Sequence, residues 1–194
     1  MERNSDVPYH GWHHVTFVSA KAIEFARELG ADGNVVEVAA LVHDLNYLVD
    51  PKTSASGGAT IRRSILVNAG ISDHQVGIIE QVVIEAEMSS RGADIVPEAK
   101  ALSDADTLFK ALPLTPVLLA PLYMKETGRS IRELAAKIVD EQTPLYKKGI
   151  YFYSASARQR YTAWGGANLE LWRQILDCLD DPDVLRLLEM VSLD

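Results

Sequence analysis

Apolar residues recur in this chain at intervals of three and four almost from end to end, a spacing that gives each segment one stripe to bury along a helix. Val15, Val18, Ala22, Phe25 and Leu29 set the first stripe, and Gly30 follows as a stop signal. A second runs from Asp32-Gly33-Asn34 through Val35, Val38, Ala39, Val42 and Leu45 to a break before Pro51, so His43-Asp44 fall in its last turns. A third covers Ala59 to Asn68, and a fourth opens on Ser72 and Gln75 at capping-box spacing. Further helices are predicted from Pro97 to Ala111, from Ser130 with Glu133 as a second capping box, around Leu169 to Leu179, and from Pro182 to Val191. No alternating run with hairpin turn signals stands out, so the fold reads as all-α, a single-domain helical bundle over residues 1–194. Residues 52–58, 89–96 and 147–156 read as loops, and Pro113, Pro116 and Pro121 make the stretch after Ala111 irregular.

Length and charge narrow the function. A chain of 194 residues with 47% hydrophobic content suits one sizeable core and is short for two. Nineteen Lys and Arg against 27 Asp and Glu give a net charge of −8 with no dense basic run, which argues against gripping nucleic acid or an anionic membrane. A small phosphorylated substrate stays compatible, because local cations or a metal outweigh a diffuse negative surface. The single cysteine, Cys178, excludes an intramolecular disulfide and a cysteine-based zinc cluster. The polar N-terminus lacks the apolar core of a signal peptide and the longest apolar runs are too short for a bilayer, so a soluble, cytoplasmic protein is expected.

The chemistry concentrates where the apolar run Val38-Ala39-Ala40-Leu41-Val42 ends in His43-Asp44. An imidazole and a carboxylate at the end of a buried segment need a partner, and a metal ion satisfies both. His14 lies one turn before Val18 on the edge of the first apolar face and points inward. A third carboxylate would complete a mixed nitrogen and oxygen site, and Asp104 and Asp106 both qualify. They project roughly 200° apart on a helix, so one helix position does not aim both at one ion. Periodicity leaves the choice between them open.

The series His14, His43-Asp44 and Asp106 resembles the H…HD…D signature of the HD superfamily of metal-dependent phosphohydrolases. Tyr9 to Val15, the VAALVHD run from Val38 to Asp44, and the EAKALSDADTL run from Glu98 to Leu108 carry the likeness over residues 9–110. Residues 111–194 add helices that complete the fold. The resemblance implies an all-α fold of HD-domain type in which His14, His43, Asp44 and Asp106 bind one divalent ion. It favours His14 over His13, and Asp106 in Ala105-Asp106-Thr107-Leu108 over Asp104, which stays as a fallback. It implies hydrolysis of a nucleotide or other small phosphoester through a metal-activated water. Asp44 is then both ligand and water-orienting group. The alternative is a catalytically silent HD-fold protein that binds metal or nucleotide as a sensor or structural element; a related iron-dependent oxygenase ranks last, since such sites carry more histidines. Two histidines and two aspartates suit Mn, Fe, Co, Ni or Zn.

The chain departs from two-metal members of that superfamily, which add histidines between the His-Asp pair and the last aspartate. Only His74 lies there, beside Ser72 and Asp73 in an exposed cap. Glu87-Met88-Ser89 stands where small HD proteins often carry a histidine-serine pair, making Glu87 a candidate acid/base. His10 and His13 read as surface or capping residues as readily as substrate contacts. Arg62 and Arg63 after the Gly-rich loop, and Lys147 and Lys148 in a cluster of cations and aromatics, are the candidate phosphate contacts.

Overall fold

The chain is described by a computed structural model over residues 7–191, and among these residues every regular element is helical. Helix α1 (Trp12–Leu29) ends where Gly30 turns left-handed at φ 67° and its N–H reaches the carbonyl of Ala26. Asp32 caps α2 (Gly33–Val42) by accepting from the amides of Asn34 and Val35. Helix α2 stops sooner than the apolar spacing predicts: His43 is its last cap, and Asp44, at φ −102° and ψ 14°, leads into a 3-10 turn over Leu45–Leu48. Past Val42, Leu45 therefore packs against the core without continuing the helix, while Leu48 and Val49 are exposed.

A second 3-10 turn at Ala55–Gly58 feeds α3 (Ala59–Asn68), and α4 (Asp73–Ala86) opens on the expected Ser72–Gln75 capping box. Helix α5 (Pro97–Ala111) has the bounds that proline and periodicity predict. The proline-rich stretch forms a π turn at Thr115–Leu119 and then α6 (Ala120–Thr127). Helix α7 (Ile131–Lys147) starts on the Ser130–Glu133 capping box. Helix α8 runs Ala155–Cys178, beginning well before the Leu169 predicted from sequence, and α9 spans Pro182–Val191. The early start of α8 takes up the end of the stretch that the sequence assigned to a loop.

Helices α1 and α5 lie against each other along their length, with α2 packed on both, α4 on α5 and α2, and α8 on α5. Val18, Ala22, Phe25 and Ala26 of α1 meet Ala99, Leu102, Ala105 and Leu108 of α5 in the centre of the core. Alanines at the crossing allow close helix axes, while Phe25 and the leucines supply the apolar area that drives burial. Any polar side chain on these inward faces must find a partner. The loop after α4 is locked by such a side chain: buried Arg91 donates to the carbonyl of Ala86 at 2.9 Å and to Thr107 Oγ1 at 2.5 Å. No single helix among the described residues is long and apolar enough to cross a membrane.

Candidate metal centre

His14 enters the core from the first turns of α1 and is fully buried. His43 and Asp44 arrive from the end of α2, where the break in the helix frees Asp44 to turn back toward the histidines. His14 Nε2 lies 2.8 Å and His43 Nε2 3.0 Å from Asp44 Oδ2, and the two imidazole nitrogens are 3.1 Å apart. Donors at right angles around one ion at about 2.0–2.2 Å stand roughly 2.8–3.1 Å from one another, so this spacing fits a common ion. Two further observations agree. His43 Nδ1 faces the carbonyl of Ala40 at 2.7 Å, which keeps the proton on that nitrogen and the lone pair on Nε2. Asp44 Oδ2 is buried without a hydrogen bond of its own. The group His14, His43 and Asp44 could hold a metal ion.

Burial and charge act in opposite directions on these residues. Burial drives the His14 pKa below the ordinary imidazole value despite the nearby Asp44. At His43 burial is again the largest influence and pushes the same way, but the charge and hydrogen bond of Asp44, with Asp106 and the Ala40 carbonyl, together outweigh it and the net shift is upward. Burial would raise Asp44, yet His43, His10 and His14 hold its carboxyl well below the usual range. Both imidazoles sit beside a carboxylate that is ionised at neutral pH.

Of the two aspartates left open by periodicity, Asp106 is the one facing the histidines. Its Oδ1 is 3.8 Å from His14 Nε2, while Oδ2 takes an ion pair from Lys110 at 2.6 Å, one helical turn away. Burial opposes ionisation of Asp106, but Lys110 foremost brings its pKa down to about 2. Asp104 points to the other side of α5. Its two oxygens accept from the amides of Tyr153 and Ser154, each at 2.7 Å, at the start of α8.

Aromatic rings close the cluster. Phe109 meets His14 edge-on at 4.5 Å, and Tyr9 stacks at 5.9 Å. His10 is buried rather than a surface residue: its ring lies flat on Tyr47 with centroids 3.4 Å apart, and Nδ1 pairs with Glu126. Glu126 also accepts from the amides of Tyr9 and His10, at 2.8 and 3.2 Å. His13 and His74 are exposed.

A cavity opens on His43, Asp44 and Asp106, and Glu87 lies on its wall with Oε1 accepting from the amide of Ala55 at 3.0 Å. The cations on that wall are Lys110 and Lys137. Sequence reasoning missed both; the i, i+4 spacing of Asp106 and Lys110 was the available signal for one, whereas Lys137 reaches the site only through the packing of α7. The four cations singled out from sequence sit elsewhere. Arg62 is buried and held by both oxygens of Glu80 at 2.8 Å and by the carbonyl of Ala55. Arg63 is exposed and paired with Asp73 at 2.7 Å. Lys147 and Lys148 are exposed at the end of α7, away from the cavity wall.

No protein-family model matches this chain, and no curated protein matches it. Among solved structures it is similar to Bacillus subtilis YpgQ, captured in complex with ADP, at a TM-score of 0.58 and 22% identity. The likeness covers 90% of this chain and 91% of the other, so the two share an all-α fold over nearly their full lengths.

Proposed function

We propose that this chain is a metal-dependent phosphohydrolase of the HD superfamily acting on a small phosphoester, with a nucleotide as the leading candidate. The observation that carries the reading is the convergence of His14, His43 and Asp44 on one point, with Asp106 facing it, at the floor of a cavity. His14, His43, Asp44 and Asp106 are the residues that would hold the ion. A divalent ion bound there lowers the pKa of a coordinated water and offsets charge on phosphoryl oxygens. Asp44 would orient the attacking water, and Glu87, which shares the wall outside the cluster with Glu141, would take its proton. Lys110 and Lys137 supply the positive charge that a phosphoryl group needs on the same wall. The ADP bound to a protein of the same fold supports a phosphorylated ligand.

The test is metal analysis of the purified protein followed by a screen of nucleotides and small phosphoesters with Mn, Fe, Co, Ni or Zn added. Turnover with a bound divalent ion, lost in His43→Ala, is the expected result. A protein that binds no divalent ion under any of these conditions overturns the reading. Stable metal binding and nucleotide binding without turnover of any phosphoester would favour a silent binding protein.

A further inference from the structure

A second cavity adjoins the first and has a different character. Tyr9, Tyr47, Tyr123, Leu134, Ile138 and Trp172 line it, and Tyr9 and Tyr123 pack edge to face at 5.1 Å. The two cavities share Tyr47, Met88, Lys110, Lys137 and Glu141, so the ammonium groups stand at the boundary between an ionic floor and an aromatic chamber. The charges on the ionic side are few. Asp44, Glu87, Asp106 and Glu141 set four negative charges against three positive ones, those of Lys110, Lys137 and the buried Arg91 that stands 3.9 Å from Asp106 Oδ2, and no arginine lines either cavity. One divalent ion brings that balance to a single positive charge, well short of the long run of charge on a triphosphate. Rings of tyrosine and tryptophan offer offset or edge-on contact to a flat apolar group, worth about 0.5–1.5 kcal/mol per pair beyond burial.

We infer that the ligand of this site is a phosphomonoester whose alcohol carries a flat aromatic group: the ring occupies the chamber of Tyr47, Tyr123 and Trp172, and Lys137 with Lys110 holds the single phosphate at the boundary. This rests on the phosphohydrolase reading but is tested by binding alone, so the two can fail separately. Aryl phosphates and nucleoside monophosphates share the chemistry, and the probes distinguish them.

Titration calorimetry on the full chain with manganese present, using non-hydrolysable methylphosphonate, 1-naphthylphosphonate and the 5′-phosphonate analogue of adenosine monophosphate, reads the inference directly. At least tenfold tighter binding of one ring-bearing phosphonate than of methylphosphonate is expected, and whichever ring wins identifies the source. Ile138→Trp, which narrows the chamber, should cut that preference at least threefold, and Lys137→Ala should weaken all three probes. Should Ile138→Trp fold poorly by circular dichroism, Leu134→Phe takes its place. Equal affinity for all three phosphonates overturns the inference, as does tighter binding of a non-hydrolysable ATP analogue than of either ring-bearing monophosphonate.

Discussion

Lys110 holds one oxygen of Asp106 at 2.6 Å and so presents the other to His14 at 3.8 Å. The lysine thus orients a carboxylate without pointing at the cluster itself. Loss of a group that orients a metal ligand typically costs about 10–100-fold in affinity. Lys110→Met is expected to weaken manganese binding within that range, measured by competition with a chelating indicator. An unchanged dissociation constant would show that Asp106 needs no such support.

Asp104 and Asp106 should separate cleanly by substitution. Asp104→Ala strips the acceptors from two buried amides, at about 1–3 kcal/mol for each unsatisfied group. The variant should unfold at markedly lower urea while what remains folded still takes up metal. Asp106→Asn should show the reverse, with metal affinity lost and the urea midpoint nearly kept. If Asp104→Ala abolishes metal binding in folded protein, the assignment of Asp106 is wrong.

Neighbouring glycines in α8 should respond with opposite signs. A Cβ on Gly165 would stand 2.4 Å from the Tyr146 hydroxyl and 2.5 Å from Tyr151 Cε1, whereas on Gly166 the nearest atom is 3.9 Å away. Gly165→Ala should destabilise by about 1–3 kcal/mol through overpacking. Gly166→Ala should stabilise by up to about 1 kcal/mol through helix propensity. Urea midpoints of the two variants against wild type check both.

Acid sensitivity should report on Glu126. Burial alone would raise its pKa, but hydrogen bonds from His10 and from the amides of Tyr9 and His10 bring it below the ordinary 4.5. A carboxyl with a depressed folded pKa contributes stability that is present above the unfolded value and is lost as pH falls through the folded one. The drop in urea midpoint between pH 5 and pH 3.5 should therefore be smaller in Glu126→Gln than in wild type. Parallel curves for the two proteins would remove Glu126 from the account.

The capping boxes at Ser72 and Ser130 and the bounds of α3 and α5 were legible because each depends on neighbours within one turn. The approach of His14 to His43-Asp44 was legible as a motif, and Asp106 ahead of Asp104 only by resemblance. What escaped depends on distant packing. Gly165-Gly166 argues locally against a helix, yet Gly165 is small because the Tyr146 and Tyr151 rings press on that face of α8. His10 looked like a surface residue because its partners, Glu126 and Tyr47, come from α6 and from the turn after α2. Lys137 carries no local signal of facing a cavity, while the adjacent pairs Arg62-Arg63 and Lys147-Lys148 look conspicuous and point elsewhere.

The helix break at His43-Asp44 gathers residues that lie far apart in sequence, from His14 to Asp106, and none of the three segments involved can present the full set alone. Such a centre forms only after the long-range closure of α1 on α5, which is the slow kind of contact in folding. Metal uptake by refolding protein should therefore lag the burst of helix formation and act as a clock for the moment at which the chain has closed.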